Sequence, residues 1–468
     1  TYILNILDKD LTPIDIEDFD RFWDSDIWNH FIFSKILKEL APSNIIKNKK
    51  FKFKGVKSLL KESTSNKNKN ATRDYKKKFS FYRKQKIFIK DSYLGFKDEA
   101  LLNFLLFSLP ANPKEKNLRF KIKKKINLNI RNNLNINFKP RSKFEKFLID
   151  LIKIQIPQIY LESFSEINQF IENCPWPTTP KIIFSSNMLW NSTCDIFYTA
   201  NKIEKKKTKL IYGQHGGVYN QFKYCFGEDH ETKVADKYLT WGWKNKNKNI
   251  IPFGMIKKKF KINTSLNSEK KVITIEAKSS HRFSRNMQPY AGYSEKVKSL
   301  KRLNLILNAL KKKVPTKYLQ IRDLPIISKK GWDIREHLKE QFKDVKYDYK
   351  HLPYDETLSK SSLVIITVNS TSFLETMHAN FPTLLCFPLD KRIYNEKAYK
   401  LINILEKNNI FHHNAISLAN HVDKVWPNVN DWWYSNEVQN SVKIFCESYA
   451  KPVNNKIIKL KKIIDQYI

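Results

Sequence analysis

The chain has 468 residues, more than one hydrophobic core can organise, so two main domains are expected. Hydrophobic residues make up 41% of it, with 31 Phe and 21 Tyr to fill two cores, and the 10 Gly are too few for a fibrous or linker-rich design. A net charge of +39 would by itself suggest nucleic acid or an anionic membrane as partner. Yet Lys, Asn and Ile recur in core-like and surface-like segments alike, the pattern of a genome-wide compositional bias.

The five cysteines (174, 194, 225, 386, 446) lack CxxC spacing, so neither a zinc ribbon nor a disulfide framework is indicated. No apolar run is long enough for a membrane helix, and TYILNILDKD has none of the zones of a signal peptide. A cytoplasmic protein is expected, with peripheral contact at an anionic inner membrane face as a use for its charge. The first residue is Thr, which points to a trimmed N-terminus.

Residues 1 to about 40 place aromatic and aliphatic side chains at helical spacing (Phe19, Phe22, Trp23, Ile27, Phe31), predicting one or two amphipathic helices. Stretches 44–90 and 113–145 are polar and basic and read as loops, short strands or excursions, with disorder expected over 62–76. Between them EALLNFLLFSLP (99–110) predicts a compact apolar helix closed by proline. From 143 the pattern becomes regular: a helix at 144–157, then strands at 181–187, 208–212 and 237–243. A Pro and a Gly in IPFGMIKK (251–258) bracket an expected hinge. A second series comes after it, with strands at 271–277, 317–323, 362–369 and 382–388 and helices at 294–310, 334–342 and 372–380. Strands alternating with helices indicate parallel βαβ units. Two doubly wound, Rossmann-like α/β domains facing across a cleft are expected: 1–255 on the acceptor side, 256–430 for the nucleotide donor, and a helical tail, 431–468, crossing back to the first domain.

Ligands of open parallel sheets sit beyond the carboxyl ends of the strands. At one such end VIITVNSTSFLE delivers Asn369, Ser370, Thr371 and Ser372 into a helix, where free N–H groups, hydroxyls and the positive dipole end suit a phosphate and Glu375 suits ribose hydroxyls. A capping box is the plainer alternative. At another, LIYGQHGGVYNQ presents Gln214, His215, Gly216 and Gly217: the glycines permit close backbone approach, and His215 suits a general base. Lys278, His281 and Arg282 come directly after one strand and Arg322 ends another; such cations could offset charge on a leaving phosphate. Asp195 and Glu228 are alternative bases without a supporting motif. No dinucleotide fingerprint, Walker A loop, HExxH helix or GxSxG elbow is present, and no DxD-like pair is placed after a strand, which favours a metal-independent transferase with no cofactor.

At YGQHGGVYN, NSTSFLE and HVDKVWPNVNDWWYSNEVQNSVKIFCESYA the sequence resembles a family of transferases encoded in O-antigen and other surface-carbohydrate gene clusters, over roughly residues 85–460. The resemblance implies a two-domain GT-B-like glycosyltransferase with His215 as base and Arg322, Ser370, Thr371 and Ser372 as phosphate site. Trp432 and Trp433 would pack the tail on the first domain. More remotely the layout is similar to glycerol-phosphate polymerases using CDP-glycerol and to transferases using CMP-linked acidic sugars, although Asp323-Leu324-Pro325 stands where those often have His-Pro. The expected partners are a nucleotide-sugar donor and a glycan or lipid-linked acceptor, not nucleic acid. A polyol-phosphate transferase and a basic nucleic-acid-binding protein are the competing readings.

Overall fold

The computed structural model describes residues 2–3, 11–23, 25–40, 47–48, 80–111, 118–260, 262, 272–277, 293–323, 334–348 and 352–468. The disorder expected at 62–76 lies outside them, as do Lys278, His281 and Arg282. The chain divides into two compact units: Thr1–Phe88, Ser108–Lys181 and Met188–Thr208 form one, and Ile89–Phe107, Ile182–Asn187 and Lys209–Ile468 the other.

The fold is α/β with two five-stranded sheets. The first has the order β1 (Ile87–Ile89), β2 (Ile182–Ser185), β3 (Lys209–Gly213), β4 (Lys237–Leu239), β5 (Ile250–Ile251), and its ladders from β2 to β5 are parallel. The second comprises β6 (Ile273–Ala277), β7 (Leu319–Asp323), β8 (Lys346–Tyr347), β9 (Leu363–Ile366) and β10 (Thr383–Leu385), all parallel in the order β8-β7-β6-β9-β10. That is the doubly wound order, in which the chain leaves in opposite directions from β6 and β9 and opens a crevice at their carboxyl ends. Runs such as IIFS and LVII are buried throughout, as strands covered on both faces must be. Expected strands and helices agree with those observed to within a few residues; β1, β5 and β8 are short strands that periodicity does not reveal.

Seven helices of the second unit matter here: α1 (Phe96–Leu105), α2 (Phe226–Val234), α3 (Tyr293–Lys311), α4 (Thr371–Ala379), α5 (Ala415–Val425), α6 (Asn436–Tyr449) and α7 (Lys456–Asp465). The core of the second sheet packs Leu303, Ile306 and Leu310 of α3 and Leu418 and Val422 of α5 against Ile273, Ile275, Leu319 and Ile365. Helix α1 ends at Leu105, well before Pro110, because Phe107 turns into the left-handed region at φ 49°. Among the described residues no helix is long and apolar enough to cross a membrane.

The tail crosses back, but not through the paired tryptophans. Trp433 is fully buried and donates Nε1–H to Asn380 O (3.1 Å) just past α4, while Trp432 lies against the second-sheet core, its ring 4.9 Å from that of His421 on α5. The turn joining them to α5 is too short to carry them elsewhere. The return comes at Lys451, which donates its N–H to Trp241 O and accepts from Met255 N–H, and at α7, which packs on α1. Gly254, in the expected hinge, has φ +113° and approaches Lys451 O so closely that a Cβ would stand 2.8 Å away, so this segment is held rather than loose.

The first unit contains two helices where expected, Ile16–Trp23, which is amphipathic, and Asp26–Leu40, which buries only Phe31 and Ser34, with Lys143–Gln155, Phe164–Glu172 and Thr193–Lys206. Its most demanding feature is Arg131, wholly buried. Its Nε and Nη2 donate to the two oxygens of Glu162 (2.8 Å each) and Nη1 donates to the carbonyls of Lys153, Ile154 and Ile156. Removing one partner of such a pair strands the other charge. Arg131→Ala is expected to lower stability by about 3–5 kcal/mol, read as a shifted urea midpoint.

Candidate functional site

Strand β3 delivers the His-Gly-Gly loop. Gly213 is tightly enclosed there: a Cβ would lie 2.5 Å from both Ile256 Cδ1 and Ser186 Oγ, so one of those side chains would have to move. Gln214 turns inward: its Oε1 accepts from Trp241 N–H (2.9 Å) and Trp243 Nε1–H (2.8 Å), and its Nε2 donates to Gly216 O (2.7 Å). It shapes the loop from within rather than facing a substrate. His215 points the other way, with about a quarter of its side chain exposed (26%) and Nδ1 3.0 Å from Oε1 of Glu231.

Glu231 is a member of this site that sequence reasoning missed. It lies on α2 with no exposed surface, accepting hydroxyl hydrogen bonds from Tyr219 (2.9 Å) and Tyr238 (2.7 Å). Burial first, and then the neighbouring carboxylate, push both phenols well above their ordinary range, so both remain donors. A carboxylate beside Nδ1 holds the ring proton there and leaves Nε2 as the basic nitrogen. His215 and Tyr219 share one loop motif, but Glu231 and Tyr238 lie outside it with no spacing that ties them to it, so no motif announces those two.

Glu228, proposed from sequence as a base, instead accepts the N–H of Asn220 and shapes the turn after the Gly pair. Burial raises its carboxyl to about 7. Asp195 belongs to the first unit, buried at the start of the Thr193–Lys206 helix, where its N–H is capped by Ser192 Oγ.

The loop rests on the start of α4. Gly217 donates its N–H to Thr371 Oγ1 (2.9 Å), and a Cβ on Gly217 would meet Ser370 O and Thr371 N at 3.0 Å; one on Gly216 would meet Thr371 Oγ1 at 3.3 Å. Asn369 Nδ2 donates to Gln221 Oε1 and Tyr394 OH, while Asn395 Nδ2 and Tyr449 OH both donate to Asn220 O. These bonds fasten the loop after β3 to the elements of the second sheet.

At the helix start itself the capping-box alternative fails. Ser370 is the N-cap but makes no side-chain cap; its hydroxyl pairs with Ser372 Oγ (2.7 Å), which reaches Oε2 of Glu276 (2.6 Å) on β6. Glu375 is paired with Lys257 instead of folding back on the cap, and burial lifts its carboxyl above the usual range against the pull of that lysine. Ser372 and Glu276 therefore meet at the crevice between β6 and β9.

Arg322 ends β7, buried as its position suggests, and is committed to protein partners. Nη1 donates to Asp348 Oδ2 (2.9 Å) and to Thr357 Oγ1, Nη2 donates to Leu352 O (2.8 Å), and the guanidinium lies 5.3 Å from the Tyr354 ring centroid. Tyr93 and Lys257 also border the site. The Tyr93 ring stands edge-on to His215 at 6.4 Å, and Lys257 Nζ is 5.8 Å from its centroid. Asp91 and Tyr93 both have positive φ, 52° and 60°, so the backbone is strained at the residues beside His215. Among the described residues no group of three His, Cys, Asp or Glu side chains is placed to hold a metal ion.

The family model described as LIC12162 family transferase matches residues 1–464. The chain belongs to that family. No curated protein matches in sequence. Among solved structures the chain is similar to TarM at 11% identity, covering 61% of this chain and 54% of that one, with a TM-score of 0.35. It is similar to the wall teichoic acid polymerase TagF soaked with CDPG at 11% identity, covering 82% and 88%, TM-score 0.39. It is similar to MurG of Acinetobacter baumannii at 11% identity, covering 82% and 99%, TM-score 0.37. The chain thus spans about half the length of TarM.

Two outcomes are expected from the loop geometry. Gly217→Ala forces backbone against backbone and should cost about 1–3 kcal/mol, seen as a lower melting temperature. Glu228 has a folded pKa raised from 4.5 to about 7, so its own contribution to stability is fully present below the lower value and is lost as pH rises through the upper one. In Glu228→Gln, which keeps an acceptor for Asn220, the decline in melting temperature across that window should flatten.

Proposed function

We propose that this transferase is a glycosyltransferase that moves a sugar from a nucleotide-activated donor onto a surface polysaccharide or a lipid-linked glycan, without a metal ion, in the cytoplasm or at the inner membrane face. A CMP-linked acidic sugar is the first donor to test. The observation that carries the reading is the partly exposed His215, oriented through Nδ1 by a buried carboxylate and carried on a loop docked at the start of α4.

In this reading His215 Nε2 takes the proton of an acceptor hydroxyl as its oxygen forms a bond to the anomeric carbon. The bond from that carbon to the donor phosphate breaks, and the electron pair leaves with the nucleotide. The N–H groups at the start of α4 and the hydroxyl proton of Thr371, whose oxygen accepts from Gly217, offset the charge, aided by the helix dipole. Arg322 supports the site from behind, by holding Tyr354 and Asp348. The single displacement inverts the anomeric configuration. Lys278, His281 and Arg282, on the segment leaving β6, are retained as donor contacts.

The test is a thermal-shift panel of CMP, CDP, UDP, GDP and TDP, then transfer assays with the matching donors. A nucleotide at about 100 times its Kd should stabilise the protein by about 2.7 kcal/mol, and Ser370→Ala with Thr371→Ala should abolish the shift. His215→Ala should keep the shift and lose about 10²–10⁴-fold in kcat, with Glu231→Gln behaving in the same direction, and EDTA should change nothing. CDP-glycerol acting as donor in place of sugars would replace this reading with polyol-phosphate transfer. Stabilisation by RNA or DNA alone would overturn it.

A further inference from the structure

We propose that the outer face of α1 seats in the interfacial layer of an anionic lipid bilayer. The face is apolar and bare: Phe96 is 87% exposed, Leu101 48%, Phe104 75%, and Phe107, just past the helix, 97%. At 100° per residue, positions 96, 97, 100, 101 and 104 share one side of the helix, while the buried Leu102, Asn103 and Leu106 lie on the other. The inner side accounts for how α1 packs; among the described residues that packing gives no reason for the exposed Phe96 and Phe104, or for Phe107 just past the helix. Phe107 sharpens the point, for it occupies the left-handed position after a helix where glycine is the usual residue, and does so with its ring in solvent.

The surroundings select the partner. Lys97 is exposed within the face, and the Lys258 side chain lies against Gly95 at the N-cap of α1. Helix α7, packed on α1, adds exposed Ile458, Lys459 and Lys462. Of the acidic residues of the first turn, Asp98 is paired with Lys456 (3.1 Å), and Glu99, which keeps its charge, is turned to the hydroxyl of Ser92 (2.5 Å). Aromatic side chains bordered by lysines, with Asp98 paired to one of them, fit an interface of anionic headgroups over acyl chains. The placement also has a consequence for the site. Tyr93, three residues ahead of α1, stands edge-on to His215, so a seated α1 holds the base close to the headgroup layer, where a lipid-carried acceptor ends. That last link rests on the proposed transfer reaction; the docking itself does not.

The experiment is co-sedimentation of the full chain with vesicles of phosphatidylcholine containing about one-third phosphatidylglycerol, against pure phosphatidylcholine and against high salt. The chain should partition onto the anionic vesicles and less onto the other two. The triple variant Phe96→Ser, Phe104→Ser, Phe107→Ser should lose at least about tenfold of that partitioning while keeping its melting temperature and nucleotide response. Should the triple variant fail to fold, Phe104→Cys carrying an environment-sensitive dye decides, because all five native cysteines are buried: its emission should shift to the blue on anionic vesicles. Absence of vesicle binding by the wild type, undiminished binding by the triple variant, no blue shift, or a dimer that the triple variant dissolves in place of vesicle binding would each overturn the proposal. Loss of nucleotide response with vesicle binding intact would instead sink the proposed reaction and leave the docking face standing.

Discussion

A carboxylate with no exposed surface survives only if its oxygens are matched by donors, and Glu231 is matched by two phenols and an imidazole. This constraint sets much of the structure around it. Tyr238 must sit on β4 and Tyr219 on the loop after β3 for both hydroxyls to converge, and His215 must turn its Nδ1 inward. The orientation of a surface-reaching histidine is thus determined by a charge that the solvent never meets.

The second constraint is backbone proximity. A loop that is to lie against a helix start cannot carry a Cβ where Gly217 meets Ser370 and Thr371, and the hydrogen bond from Gly217 to Thr371 Oγ1 uses one donor and one hydroxyl to join the loop after β3 to the helix after β9. Asn369, Asn395 and Tyr449 repeat the connection a few residues on. With Gln214 turned into the Trp241 and Trp243 side, the loop is held from within and from without. Such a loop presents His215 in one geometry, which is what the proposed proton transfer requires.

Charge on this chain is abundant but unevenly committed. Many lysines are spent in local pairs along helices, such as Lys360 with Glu356 and Lys461 with Asp465, which contribute little each. Arg131 and Arg322, by contrast, are interior and fully partnered, so neither is a spare cation for a ligand in this conformation. The lysines that frame α1 differ from both groups because they border exposed aromatic surface.

The sequence by itself determined the alternation of buried strands and helices, because side chains in a doubly covered sheet must be apolar over runs of four or five residues, and it determined the His-Gly-Gly and Ser-Thr-Ser loops, because glycine and small hydroxyl residues at strand ends are legible one position at a time. Tertiary structure alone decided the rest. Glu231 rather than Glu228 became the partner of His215, although their spacing of three puts both on one face of α2, because Glu231 meets the Tyr219 and Tyr238 hydroxyls while Glu228 is taken by the N–H of Asn220. Trp432 and Trp433 packed on the second sheet, not the first, because the short turn after α5 confines them there. Ser370 declined to cap its helix because Ser372 and Glu276 offered its neighbourhood a different network. In each case the residue types were visible in the chain, but which of several equivalent neighbours they met depended on contacts between segments far apart in sequence, and a period or a spacing carries no information about those.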